Sequence, residues 1–256
     1  MPWPLSAIVT PGSRTQIVIA DKNFSLLRIM SQRAPSLEDY LKPDFRETFK
    51  FSQLTERESR IVKFFGNSLL TSYADVAVAT NILRLAGHAG DQISVRSARD
   101  IRLRDLQDGN FVFLGSPTSN PWTSYFQSRL NFEEVQHKVG GPKFFRNKRP
   151  EPGEPESYYG LLATGSTGDD YATIALLAPG VTQGSVLIVQ GLTQEGTEAA
   201  GLFLADESRR LSESLAARSG GKLPASFEVL LRIRSVAGSP SSTSVVTTRQ
   251  LTVQNR

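Results

Sequence analysis

Cysteine is absent from this chain, and histidine occurs only twice, at His88 and His137. Without cysteine there is no disulfide framework, no thiolate nucleophile and no cysteine-ligated zinc or iron–sulfur site. Two histidines so far apart form neither an HExxH pair nor a three-histidine metal site. No apolar run approaches the length that spans a bilayer, so no membrane segment is expected. Three short signatures are missing as well: GxGxxG for dinucleotides, GxxxxGK[ST] for a P-loop, and GxSxG for a nucleophile elbow, from which Gly115-Ser-Pro-Thr-Ser departs. Neither a metal nor a cofactor is therefore expected.

What remains is a balanced globular composition. The 256 residues are 39% hydrophobic and 21% charged, enough to bury a full core. Lys plus Arg is 29 against 25 for Asp plus Glu, a net charge of +4. The basic residues gather in two places. Arg96, Arg99, Arg102 and Arg104 are interrupted by Asp100 and Asp105, and Lys138, Lys143, Arg146, Lys148 and Arg149 lie beside Phe144 and Phe145. Basic loops with aromatics can hold single strands of nucleic acid, but a charge this mild and dispersed reads as a solvated surface, and direct nucleic-acid binding is not expected. The N-terminus lacks a basic lead and a long apolar core, so a cytoplasmic location is expected and the Asn23-Phe24-Ser25 sequon is read as chance.

Strand and helix patterns alternate along the chain. Thr15–Asp21, Asn110–Gly115 and Ser185–Gln190 are apolar without a polar face, as strands buried on both sides are. Gln92–Val95 and Tyr171–Leu177 read as further strands, and Phe132–Gln136 with Phe144–Lys148 as a hairpin around a Gly-Gly-Pro turn. Helices are expected at Phe24–Met30, at Leu37–Leu41 behind Ser36, and after the capping box Thr55-Glu-Arg-Glu, with Ile61, Phe64, Phe65, Leu69 and Leu70 as that helix's apolar face. Ser72–Leu85 follows, with Val76, Ala79, Ile82, Leu83 and Leu85 inward and Gly87 as its stop; His88 there suits a dipole role. Pro121–Leu130, Glu195–Leu204 and Glu207–Ser219 are also expected as helices. Glu151–Tyr159 reads as a surface loop. Phe227–Val236 and Ser244–Thr252 read as a terminal antiparallel hairpin around Gly-Ser-Pro-Ser-Ser. Together these predict a three-layer, Rossmann-like α/β domain: a mostly parallel sheet with helices on both faces. A lead at 1–14 would precede a single domain at 15–256, with a surface excursion at about 132–160.

Two strand-to-helix junctions carry the candidate site. Gly115 lets the chain leave one strand tightly, and Asn120-Pro121 is a strong N-cap and first-turn pair. Gly191 ends another strand, with Thr193 able to cap and Gly196 allowing close packing. Ligands of open α/β sheets bind at the carboxyl ends of strands, where helix N-termini favour anions. The candidate ligand-binding residues are Asp21, Ser116, Ser119, Asn120, Thr193, Glu195, Gly196 and Thr197. No catalytic residue is singled out. His137 beside Lys138 is a poor base, and Glu195, Glu198 and Glu154 are the possible carboxylate bases.

At these same positions the chain resembles a family. The segments are Ile17-Val-Ile-Ala-Asp-Lys-Asn, Ser36-Leu-Glu-Asp-Tyr-Leu, Val95-Arg-Ser-Ala-Arg-Asp, Leu114-Gly-Ser-Pro-Thr-Ser-Asn-Pro-Trp and Leu130-Asn-Phe. They continue with Asn147-Lys-Arg-Pro-Glu-Pro-Gly-Glu, Tyr171-Ala-Thr-Ile-Ala, Val186-Leu-Ile-Val-Gln-Gly with Glu195-Gly-Thr-Glu-Ala-Ala, and Phe227-Glu-Val-Leu-Leu-Arg. Over Gln16 to Arg249 it resembles a poorly characterised bacterial Rossmann-like domain. That domain often sits C-terminal to a winged-helix DNA-binding domain in proteins similar to transcriptional regulators. The resemblance implies a sensor or ligand-binding module. No winged helix is recognisable here, so the module would act alone or through a regulatory protein partner. The leading expectation is a non-catalytic module for a small anionic or nucleotide-like ligand. One alternative is a hydrolase or glycosyl-transfer enzyme on a nucleotide or nucleoside, with Glu195 as the acid and Ser116 and Asn120 binding substrate. The other is a protein-interaction module using the terminal hairpin and the Pro/Glu-rich loop.

Overall fold

A computed structural model describes residues 1–45, 54–160, 166–180 and 182–251. Its centre is a seven-stranded sheet in the order β10-β9-β7-β8-β3-β1-β2. The strands are β1 (Thr15–Ile19), β2 (Ile93–Ser97), β3 (Asn110–Leu114), β7 (Gly168–Leu177), β8 (Val186–Gly191), β9 (Phe227–Val236) and β10 (Ser239–Gln250). β2, β1, β3 and β8 run parallel, with Ile17 beside Val95 and Val112, and Val112 beside Leu187. β7 is antiparallel to both β8 and β9, and β10 is antiparallel to β9. The sheet is thus mixed rather than mostly parallel. The reason lies in chain length: the link from β7 to β8 is shorter than the dozen residues that a parallel crossover needs. β3 and β8 are buried along their whole length, and β1 is buried except at Ile19, as continuous apolar runs demand.

One face carries α4 (Tyr73–Ala86), α5 (Gln194–Asp206) and α6 (Ser208–Arg218). Val78, Ile82, Phe203, Leu211 and Leu215 pack there on Ile17, Val112, Ile174 and Val229, and the N-terminal Leu5 and Ile8 join the same core. The other face is covered mainly by 3-10 turns, not by α-helices. Ala98, Ile101, Leu106, Trp122 and Phe126 pack on Val18, Phe111, Phe113 and Ile188, with Leu37 and Leu41 at the margin. The expected helix after Asn120 is such a segment, Pro121–Arg129, in 3-10 geometry throughout. Its Trp, Thr, Ser, Tyr and Phe residues have modest helix propensity.

α1 (Lys22–Ser31), α2 (Leu37–Leu41) and α3 (Glu56–Asn67) gather around Phe24, Leu27, Tyr40, Phe45 and Val62. Both capping boxes form, Ser36 with Asp39 and Thr55 with Glu58. The expected apolar face of α3 does not turn inward: Phe64 is 70% exposed and Leu69 74%, and Ile61 and Phe65 are exposed too. Val76 of α4 is likewise exposed, and Val78 takes the inward place.

β4 (Phe132–Gln136), β5 (Lys143–Asn147) and β6 (Ser157–Tyr159) form a second, antiparallel sheet. It packs through Phe132, Phe145 and Tyr158 on Leu192 and Leu230. Part of the expected 151–159 loop is therefore strand. The terminal hairpin turns at Ala237-Gly238, earlier than expected, because both residues adopt positive φ and β10 already begins at Ser239. Thr252, the last residue of the expected strand, lies outside the described residues. No helix among the described residues is long and apolar enough to cross a membrane.

Candidate functional site

β1 is flanked by β2 on one side and β3 on the other, so the chain winds away from it in both directions. Ligands of open α/β sheets bind at such a switch point, at the carboxyl edge. A cleft of about 240 Å³ lies there. Its walls are the start of α1 after β1, the Gly115–Ser119 turn after β3, the Gly191–Thr197 turn after β8, the start of α4, and the β4–β5 hairpin.

The turns that build it are held by backbone and side-chain bonds. Gly115 has φ +90°, and a β-carbon there would press on Ser119 Oγ. Asp21 N donates to Ser119 O (3.0 Å) and Lys22 N to Leu70 O (2.9 Å), locking the end of β1 between two loops. Thr193 Oγ1 accepts from Gly196 N (3.1 Å) to cap α5, and Thr197 Oγ1 accepts from Gly191 N (3.1 Å).

Of the eight residues expected to bind a ligand, Ser116, Ser119, Thr193 and Thr197 line the cleft. The other four stand elsewhere. Asp21 caps α1 by accepting from Asn23 N and Phe24 N, and its second oxygen accepts from Tyr40 Oη (3.0 Å) and from Arg99 Nε and Nη2 (3.0 and 2.6 Å). Burial, then the Asp21 charge, pushes the Tyr40 phenol far above its ordinary value. Asn120 makes no cap bond. It is fully buried, and its Nδ2 donates to Val18 O (3.1 Å) and Leu114 O (2.9 Å), tying β1 to β3. Glu195 is buried outside the lining, although its charge acts on Lys22. Gly196 packs with no room for a β-carbon against Asp170 and the Tyr171 carbonyl.

The charged lining comes from residues outside the expected ligand-binding set: Lys22, Arg28, Asp75 and Lys143, the last expected only as part of a solvated basic cluster. Arg28 reaches Thr118 O (3.3 Å) and Gln136 Oε1 (3.2 Å), and Lys143 reaches Thr118 Oγ1 and Glu134 (both 3.3 Å). Burial lowers the Lys22 ammonium, with Lys143 acting the same way and Asp75 and Glu195 opposing. Burial raises the Asp75 carboxyl, opposed by the Ala20 N–H that it accepts at 2.7 Å. One signal was available: Ser72-x-x-Asp75 has capping-box spacing, and because Ser72 makes no side-chain cap bond, its hydroxyl and the second Asp75 oxygen are left for the cleft. Lys143 stood out only as one of a basic cluster, and nothing local tied it to the cleft, since it arrives from another sheet.

The basic clusters are largely spent. Arg96 pairs with Asp105 (3.3 Å), Arg99 with Asp21, and Arg146 with Glu133 (2.5 Å), while Lys148 Nζ donates to Gln127 O. Phe145 is fully buried, and Phe144 lies between His137 and Tyr159. Glu154 is hydrogen-bonded to Asn147 and Arg249, outside the cleft. A wider hollow, of about 850 Å³, opens at the opposite edge of the sheet. It is more open, and charges on its rim pair with each other, as Arg14 does with Asp108. The carboxyl-edge cleft is the better candidate because cationic side chains from α1 and β5 meet there at the switch point of the sheet. No group of three or more potential metal ligands occurs among the described residues. Comparison with protein-family models and with curated proteins finds no match for this chain.

Proposed function

We propose that this protein is a small-molecule-binding module whose carboxyl-edge cleft takes an anionic ligand. The observation that carries this reading is the convergence of Lys22, Arg28 and Lys143 on one cleft at the switch point of the sheet. Hydroxyls of Ser116, Ser119, Thr193 and Thr197 add hydrogen-bonding groups to the same lining. Such a set suits holding an anion by charge-assisted hydrogen bonds. The enzyme reading on Glu195 gains no support, since that side chain is buried and does not line the cleft. A sensor role in a bacterial regulatory system, relayed through a protein partner, rests on the family resemblance. The test is a thermal-shift and calorimetric screen of anionic metabolites. Ligands that stabilise the wild type should lose roughly tenfold or more in affinity in Lys22→Met, the loss of a charged hydrogen bond. Binding that is indifferent to Lys22→Met and to Lys143→Met would place the ligand elsewhere.

A further inference from the structure

Three polar groups that line the cleft keep bonding capacity unused among the described residues. Ser72, 4% exposed, has a buried hydroxyl without a hydrogen bond. Asp75, 2% exposed, spends one oxygen on Ala20 N and leaves the other open. The Lys22 ammonium feels Asp75 and Glu195 electrostatically but makes no hydrogen bond or close ion pair. All three line the same cleft, from the facing starts of α1 and α4. Buried polar groups are costly to leave unpaired, so the arrangement is complementary to a particular ligand. Lys22 calls for an anion. Asp75 calls for a hydrogen-bond donor a few ångströms away, and Ser72 serves either.

Two further features limit the ligand. No aromatic ring lines the cleft, and Ile29 and Leu192 are its apolar side chains. A nucleobase would therefore find no face to stack on. The 240 Å³ volume also falls below the roughly 300 Å³ at which pockets for drug-sized ligands begin.

Resting on the anion-binding reading, we propose that the ligand is a sugar phosphate: its phosphate at Lys22, in the field of Lys143 and Arg28, and its free hydroxyls on Asp75 and Ser72. Each ligand hydroxyl donates a hydrogen bond to Asp75 Oδ1 or exchanges one with Ser72 Oγ, and no covalent step is involved.

Calorimetric titrations with inorganic phosphate, glucose 6-phosphate, ribose 5-phosphate, AMP and glutamate test this. A sugar phosphate should bind roughly tenfold tighter than inorganic phosphate, the worth of one added charged hydrogen bond, and tighter than AMP or glutamate. Asp75→Asn keeps an acceptor for Ala20 N and should bring the sugar phosphate to within about twofold of inorganic phosphate; the ratio is the readout, because loss of the Asp75 charge beside Lys22 acts on both anions alike. Ser72→Ala should narrow the same ratio without touching the Ala20 bond, and it carries the test if Asp75→Asn fails to fold. Lys22→Met should weaken phosphate and sugar phosphate alike. Tighter binding of AMP or glutamate, or an unchanged ratio in both Asp75→Asn and Ser72→Ala, overturns the proposal. If phosphate binds through Lys22 and the sugar adds nothing, the anion site stands and the sugar-phosphate assignment fails. If none of the five binds, both fail.

Discussion

Asn120 shows what a strong local signal can conceal. Asn before Pro at a strand exit reads as an N-cap, and loss of a cap costs about 1 kcal/mol. In the fold its side chain instead joins the last carbonyls of two neighbouring parallel strands. Asn120→Ala should therefore cost roughly 2 kcal/mol, from two lost hydrogen bonds and two buried carbonyls left open. Urea unfolding would show it, and a loss no larger than that of a surface cap would refute the bridging role. Asp21 shows the same limit. Its place at the end of β1 was legible, but its turn toward Arg99 and Tyr40 was not, because both partners come from distant segments. Replacing Arg99 by Leu leaves a buried carboxylate without its charged partner, so about 3 kcal/mol should be lost. If Arg99→Leu melts like the wild type, the pair is not a clamp.

Elements were legible where local physics sets them. The two capping boxes, the three buried strands and the β4–β5 hairpin fall where sequence places them, because caps, turns and apolar runs act over a few residues. Strand direction and helix facing depend on what lies across the fold. The eight-residue link between β7 and β8 did hold the signal for an antiparallel return, whereas nothing local shows that Ile61, Phe64 and Leu69 face outward. The α4–α5 contact illustrates a packing feature hidden in a single glycine. A β-carbon on Gly201 would overlap the branched side chain of Val78. Val78 is stiff and buried, so Gly201→Ala should destabilise by about 1–3 kcal/mol through overpacking, despite the better helix propensity of alanine. Val78→Ala should recover part of that loss in the double variant, a coupling that denaturation of all four proteins measures. Simple additivity of the two changes would exclude the contact as the cause.

At the scale of the molecule, the two sheets are joined by carboxylates with opposite pH behaviour. Glu228 of β9 is fully buried and accepts from Asn131 N (2.6 Å) and Phe132 N at the start of the small sheet. Burial pushes it up to about 7, against the pull of those two N–H groups and of Lys148 and Arg249. Glu154, which bonds Arg249 of β10, moves the other way. Burial alone would raise it, but the Glu151 N–H with Arg249 and Asn147 together hold it down at about 2. The consequences have opposite sign. Between about pH 4.5 and 7 the folded chain keeps the Glu228 proton that the unfolded chain has lost, so stability falls as pH rises, by about 3 kcal/mol across that window. Below about 4.5 the unfolded chain takes up a proton that folded Glu154 refuses until about pH 2, so stability falls as pH drops. The pair therefore favours a stability maximum near pH 4.5–5. Glu228→Gln keeps an acceptor for Asn131 and Phe132 without a titrating group, so it should flatten the decline from pH 5 to 7 and leave the acid limb in place. Urea unfolding across that range distinguishes this from a passive carboxyl: an unchanged slope in Glu228→Gln would mean that Glu228 does not govern how the small sheet is held on the large one.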